Sequence, residues 1–109
     1  MMYYDFTANG KQYKLRINIR NTVALEKKLG VNPIAIFGNG ETIPTVNNMV
    51  DVLHFSLQQY QHNIGYNETL EIFEEWLNDG HTMLDFIPII LEIYKVSGIV
   101  GNEGNEKNV

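Results

Sequence analysis

The sequence predicts an α+β fold, with an N-terminal β-hairpin followed by a bundle of four to five α-helices. The hairpin is indicated by Asn9-Gly10, a pair that favours a type I′ turn, between two short segments of alternating polarity. The helices are indicated by apolar residues at helical spacing, with capping residues before them and glycines after them. The length of 109 residues suits one domain with a modest core.

The two-residue turn fixes the register of the hairpin. Phe6 then lies opposite Tyr13, and Tyr4 lies opposite Leu15, on one apolar face. The second strand is expected to keep its alternation as far as Ile19. Because a two-stranded ribbon is only marginally stable in water, it must pack on the helices or pair its edges with another chain.

The first helix is predicted to begin at Asn21 or Thr22, which are capping residues. It is predicted to end at Gly30, because glycine readily adopts the left-handed conformation found after a helix. Asn32 then caps one short helical turn over residues 34–37, and a loop follows over residues 38–40.

Thr45 is expected to cap a helix that runs to about His62. An apolar stripe follows one side of this helix, formed by Val46, Met49, Val50, Leu53, Leu57 and Tyr60. The next helix is expected to begin at Asn67 and to end near Gly80. It carries an acidic row on one side and apolar residues on the other, namely Glu68, Glu71 and Glu75 opposite Leu70, Phe73 and Leu77.

The last helix, from Thr82 to Ser97, is apolar around most of its circumference, which is typical of a helix that is central or covered by a second molecule. One domain is expected over residues 1–98, followed by a disordered polar tail over residues 99–109. The residues predicted in or near the core are Tyr4, Phe6, Tyr13, Leu15, Ile17, Leu53, Leu57, Trp76, Ile90 and Tyr94.

Composition argues against several classes of function. The absence of cysteine excludes disulfides, thiolate metal sites and cysteine nucleophiles. Asp51 and His54 share a helix face but lack a third metal ligand, so no metal, cofactor or catalytic residue is predicted. No apolar run is long enough to span a membrane, and a cytoplasmic protein that is not an enzyme is expected.

Partner binding is the predicted role of two helical surfaces. Phe55 projects away from the apolar stripe of its helix among polar neighbours, as an aromatic residue at the centre of an interface does. The predicted contact residues on the two helices are Phe55, Gln59, Ile89, Ile93 and Val96. The hairpin edges and the apolar last helix also predict a homo-oligomer.

Three segments carry a resemblance to a known family. They are residues 13–16 leading into 24–33, the mid-chain run 53–58, and the C-terminal run 87–98. Together they resemble the tail assembly chaperones of long-tailed, siphovirus-type phages or prophages of Gram-positive bacteria. The resemblance covers nearly all of residues 11–98, and its motifs are structural rather than catalytic.

The resemblance implies a function in virion assembly. Such chaperones bind the tape measure protein, a long helical polypeptide, and keep it soluble until the tail tube protein polymerises around it. A longer form made by translational frameshifting recruits the tail tube subunits. Proteins of this kind act in the cytoplasm of the bacterial host and are absent from the mature virion.

Two other functions remain open at this point. One is a structural tail or connector subunit. The other is a small nucleic-acid-binding module that uses an outward basic row on the hairpin, formed by Lys11, Lys14, Arg16 and Arg20. The net charge of −5 argues against the second function, and no nucleic-acid partner is expected.

Overall fold

The computed structural model describes residues 2–37 and 43–101, and it has the predicted α+β architecture. A two-stranded antiparallel sheet precedes four α-helices and two 3₁₀ turns. The elements are β1 (Tyr4–Ala8), β2 (Lys11–Leu15), α1 (Ile19–Leu29), a 3₁₀ turn (Pro33–Phe37), α2 (Val46–Leu57), α3 (Tyr66–Asn78), a 3₁₀ turn (Met83–Asp85) and α4 (Phe86–Val96). The predicted loop at 38–40 and residues 102–109 of the predicted tail lie outside the described residues.

The register of the hairpin is confirmed. Phe6 pairs with Tyr13, and Tyr4 pairs with Leu15. Asn9 and Gly10 both have positive φ, at 52° and 77°, as a type I′ turn requires. The second strand ends earlier than predicted, at Leu15, because the chain leaves the sheet and enters α1.

The predicted cap of α1, Asn21 or Thr22, is wrong by three to four residues. Asn18 is the N-cap, and its side chain accepts a hydrogen bond from the Asn21 N–H at 2.9 Å. Ile19 is therefore the first helical residue rather than a strand residue, and it is 80% exposed. The predicted end at Gly30 is confirmed, since Gly30 adopts the left-handed conformation with φ 77°.

Helix α2 begins as predicted and ends earlier than predicted. Thr45 forms a capping box with Asn48, with the Asn48 N–H donating to Thr45 Oγ1 at 3.0 Å. The helix stops at Leu57 rather than His62, and the chain then turns through Asn63, whose φ is 67°. Seven of its twelve residues are buried, against four of eleven in α4, so α2 is the more central helix.

The last two helices begin at positions shifted from those expected. Helix α3 starts at Tyr66, one residue early, with Gly65 as its N-cap. A 3₁₀ turn precedes α4, and the Thr82 N–H donates to Asp85 Oδ2 at 2.8 Å. Helix α4 therefore begins only at Phe86, which places Pro88 in its first turn, where a missing N–H breaks no helical hydrogen bond.

The core lies between the apolar face of the hairpin and the helices. Phe6 packs against Trp76 and Phe86, with ring centroids 5.7 and 6.1 Å away. The buried Tyr94 hydroxyl donates to the Pro33 carbonyl at 3.0 Å. All ten predicted core residues lie in the core or, for Tyr4, packed against it.

The predicted boundary between domain and tail lies too early. Ile99 and Val100 are half-buried and pack against the core. The Ile99 N–H donates to the Tyr94 carbonyl at 2.9 Å, which continues the hydrogen bonding at the end of α4. Among the residues that the structure describes, no helix is long and apolar enough to cross a membrane.

Candidate functional site

An apolar groove lies between α2 and α3 and is open to solvent. Its volume is about 460 Å³. Its apolar lining is formed by Val46, Val50, Leu70, Phe73, Leu77 and Met83. Leu70, Val46 and Met83 are 41%, 44% and 42% exposed, so large apolar side chains on three elements remain in contact with water. We call this the Leu70 groove.

A second groove, of about 440 Å³, is aromatic. It is lined by Lys28, His54, Phe55 and Tyr66, and we call it the Phe55 groove. The His54 ring lies 5.0 Å from the Phe55 ring and 6.0 Å from the Tyr66 ring, between centroids. The Tyr66 hydroxyl donates to Asn47 Oδ1 at 3.1 Å, which fixes the ring over α2.

Both grooves are lined by α2 and α3, and Lys28 of α1 also borders the Phe55 groove. Val50 and His54 are one helical turn apart on α2, and Tyr66 and Leu70 are one turn apart on α3. We call the combined surface the α2/α3 seam. Residues 46–55 of α2 span roughly 14 Å at 1.5 Å per residue, which is the length of about nine residues of a docked helix.

An ion pair between Lys28 and Asp51 borders the Phe55 groove. Lys28 Nζ lies 2.7 Å from Asp51 Oδ1, and the side chains are 50% and 6% exposed. The hydrogen bond from Lys28 to Asp51 raises the pKa of Lys28, so the lysine stays charged at all physiological pH values. Lys28 Nζ also lies 5.0 Å from the Tyr66 ring centroid, in cation–π contact.

The pKa of His54 shifts in the opposite direction to that of Lys28. Partial burial lowers the pKa of His54 below its usual value, and the backbone hydrogen bond at Ile64 opposes that shift only in part. The ring is therefore mainly neutral at pH 7, and the Phe55 groove carries one cation, which its buried partner balances.

The structure places the five predicted contact residues in four regions. Phe55 lines the Phe55 groove, as a partner-binding residue would. Gln59 and Val96 both contact Arg16, whose Nη1 and Nε lie 3.4 Å from Gln59 Oε1 and from the Val96 carbonyl oxygen. Those two residues therefore stabilise the end of β2.

The two remaining predicted contact residues, both on α4, have different environments. Ile89 is half-buried beside the outer edge of β1. Ile93 is fully buried and faces the core in the same way as Ile90, so its side chain is not accessible to a partner in the single chain. The broad apolar surface of α4 is thus mainly a core surface.

Sequence analysis missed the residues of the Leu70 groove. The apolar pattern places Leu70 on the apolar side of its helix and Val46 on an apolar stripe, which does not distinguish a packed position from an exposed one. The sequence signal is a large apolar residue near the start of each helix, a position that the neighbouring helix can leave uncovered. Only the packing of α2 on α3 reveals that this end of the seam is open.

The polar side chains form one acidic cleft and no metal-binding group among the residues that the structure describes. Among the described residues, no group of three histidine, aspartate or glutamate side chains is placed to hold a metal ion. A cleft of about 230 Å³ between the hairpin and α3 is lined by Glu68, Glu71 and Glu75 with Lys11. Burial, together with the negative charges of Glu75 and Glu68, raises the pKa of the Tyr13 hydroxyl, which keeps it protonated at neutral pH.

The basic row on the hairpin is engaged within the molecule. Lys14 Nζ lies 5.0 Å from the centre of the Tyr3 ring and 6.0 Å from that of Tyr60. Arg16 is half-buried, and Lys11 borders the acidic cleft. None of these contacts is an ion pair, and Lys11, Lys14 and Arg20 remain exposed, so the positive charge of the row is kept.

Comparison with known proteins gives one match. The model of a family of unknown function, DUF6096, matches residues 7–108. No curated protein and no solved structure matches the chain.

Proposed function

The chain belongs to the DUF6096 family, a family of unknown function, and we propose that it is a binding protein whose α2/α3 seam receives an apolar helical segment of a partner. The observation that carries this proposal is the pair of adjoining apolar grooves. Large apolar side chains that stay exposed together on several elements, as Val46, Leu70 and Met83 do, are a feature of surfaces that bind other molecules.

The shape of the seam favours a helix over other partners. A groove between two helices accepts side chains spaced at i, i+3 or i+4, and i+7 on one face of a third helix. The Phe55 groove and the Leu70 groove would each take one or two such anchors. The partner contact is then mainly apolar, with Lys28 and Glu74 at the rims.

The identity of the partner rests on the resemblance of residues 11–98 to phage tail assembly chaperones. On that basis the protein binds the tape measure protein and keeps its apolar helices soluble during tail tube assembly. The tail tube protein is then a second partner, reached through a longer frameshifted form. The place of action is the cytoplasm of the infected or prophage-carrying bacterium, and the mature virion does not contain the protein.

The alternatives receive less support from the molecule. The net charge of −5 argues against a nucleic-acid-binding module. No described feature favours a structural tail or connector subunit over the chaperone. An enzymatic function has no catalytic group to carry it among the described residues.

The proposal is tested by co-expressing the tape measure protein with and without this chain. We expect rescued solubility and a complex that survives pull-down at both ~0.1 and ~0.5 M salt, because screening weakens exposed charge pairs and leaves apolar burial largely intact. An insoluble tape measure protein and no complex would overturn the proposal. Salt-sensitive binding of DNA or RNA instead would support the nucleic-acid alternative.

Phe55→Ala locates the contact on the seam. Removal of the ring should weaken the complex while leaving the chain folded, because Phe55 is only half-buried. Phe37→Ala is the control, since Phe37 is also half-buried but packs against Tyr94 and lines neither groove. Equal losses for both variants would indicate a general effect on folding.

A further inference from the structure

The two edges of the hairpin differ in how their backbone groups are satisfied. On the β2 edge, the Lys14 N–H donates to Gln61 Oε1 at 2.7 Å, and Gln61 Nε2 donates to the Lys14 carbonyl at 2.9 Å. Next along this edge, the Arg16 N–H donates to the Ser56 carbonyl at 2.9 Å. The chain therefore covers the edge of β2 at Lys14 and Arg16 with its own side-chain and backbone groups, whereas the outward peptide group of Gln12 has no such partner among the described residues.

The β1 edge is open at Asp5 and Thr7. Inward and outward peptide groups alternate along an antiparallel pair, and Lys14, which lies opposite Asp5, faces outward. The peptide groups of Asp5 and Thr7 therefore face outward as well. Within residues 2–37 and 43–101, no protein group forms a hydrogen bond with these two peptide units along the β1 edge.

A trough of about 300 Å³ runs beside the open edge. Tyr4 and Ile89 border it and are both only half-buried, and Trp76 forms part of its lining. The edge thus combines unpaired backbone groups with apolar side chains that remain partly exposed, which is the combination that strand pairing between chains uses.

We infer that β1 pairs with β1 of a second copy of this chain, antiparallel and related by a two-fold axis at Phe6. This register sets Asp5 opposite the partner's Thr7, and Thr7 opposite the partner's Asp5. Outward peptide groups then meet outward peptide groups, which gives four backbone hydrogen bonds. No like charges face each other across the pair, and Ile89 of the two copies approach across the trough.

The pairing strand comes from a second copy of this chain because the β1 edge is self-complementary. The outward peptide groups of Asp5 and Thr7 can pair with the same groups of another copy, and each chain has one such edge. Pairing the two β1 edges uses both and leaves the β2 edges outside, which are covered at Lys14 and Arg16, so the assembly closes at two chains. The result is a four-stranded sheet with helices on one side. This inference is independent of the partner bound at the α2/α3 seam.

Proline substitution tests the pairing with a matched control. Thr7→Pro removes an outward N–H that the hairpin itself does not use, and Gln12→Pro does the same directly opposite, on the β2 edge. Sedimentation at ~100 µM should give twice the 12.5 kDa chain mass for the natural protein. Thr7→Pro should raise the dimer dissociation constant by about tenfold or more, and Gln12→Pro by less than about twofold.

A monomeric natural chain at that concentration would overturn the inference, as would equal effects of the two prolines. A second test does not depend on proline. Because the chain has no cysteine, Asp5→Cys and Thr7→Cys each carry one thiol, and mild oxidation of their mixture should link unlike chains preferentially. Like positions lie too far apart for a disulfide in this register, beyond about 7 Å between Cα atoms. Preferential linkage of like chains, or no linkage, would contradict it.

Discussion

The α2/α3 seam and the outer edge of β1 are both accessible in a single chain, but they offer a partner different chemistry. The seam presents large apolar side chains such as Leu70 and Phe55, and its backbone groups are satisfied within the helices. The β1 edge presents the peptide groups of Asp5 and Thr7 and few apolar side chains.

This difference separates two kinds of recognition. Apolar grooves accept many sequences with the right spacing, because burial is non-directional. Backbone pairing at a strand edge has one register, because a shift by one residue moves every side chain to the other face. The chain can therefore bind different stretches of a long helical partner at the seam while forming one defined contact with its own copy at the edge.

Lys28→Ala should damage the seam alone and have the largest effect. It leaves the Asp51 carboxylate, only 6% exposed, without its ion pair. Removing one partner of a fully buried pair costs about 3–5 kcal/mol, and because Lys28 is half-exposed we expect a smaller loss of about 2 kcal/mol in unfolding free energy. Chemical denaturation measures it.

Lys27→Ala is the control for that experiment, because Lys27 forms no ion pair within the described part of the chain. It should change the unfolding free energy by less than about 0.5 kcal/mol. Because Lys28 lies at the seam and not at the β1 edge, the Lys28→Ala chain should still form the dimer wherever it is folded. Loss of pairing in the folded variant would show that the two regions are coupled.

Gln61→Ala should act on the edges and leave the seam intact. It removes both hydrogen bonds from the Gln61 side chain to the Lys14 backbone, which costs about 1–2 kcal/mol. It also opens a second strand edge, so larger, concentration-dependent species should appear in light scattering. Gln12→Ala, an exposed glutamine on the same strand, should produce neither effect.

The smallest effect concerns pH at the seam. Burial lowers the pKa of His54 in the folded chain, so the unfolded chain binds a proton first as the pH falls below about 6.5. His54 therefore makes folding less stable with falling pH in that window, down to its folded pKa. Thermal unfolding at pH 7.5 and 5.5 should show a smaller acid-induced drop for His54→Gln than for the natural chain; an equal drop would contradict the assignment.

The hairpin could be predicted from the sequence because its information is local. Asn9-Gly10 fixes the turn, and one register places Phe6 and Tyr13 on the buried face. Helix ends were less predictable. Asn18 fits the alternating pattern of a strand as well as a helix cap. The apolar stripe continues to Tyr60, so the pattern does not indicate that α2 ends at Leu57.

The open surfaces depend on contacts between distant residues, which is why the sequence did not locate them. Gln61 covers the edge of β2 from 47 positions away, and no local pattern predicts that bond. Ile89 and Ile93 lie one turn apart on α4, but only packing decides that the first borders a trough and the second is core. Phe55 was predicted as a contact residue because it departs from its own helical stripe.

The most direct test of the seam as the partner site compares two leucines of nearly equal exposure. Leu70 lies in the seam and is 41% exposed, whereas Leu91 lies on α4, outside both grooves, and is 39% exposed. The affinity for a helical segment of the tape measure protein is measured for Leu70→Glu and Leu91→Glu by titration calorimetry.

The account predicts that Leu70→Glu weakens binding by about tenfold or more, because a charge enters an apolar contact, and that Leu91→Glu stays within about twofold. Both variants should unfold at nearly the temperature of the natural chain. Equal affinities for the two variants, or a loss only for Leu91→Glu, would contradict the assignment of the partner to the α2/α3 seam.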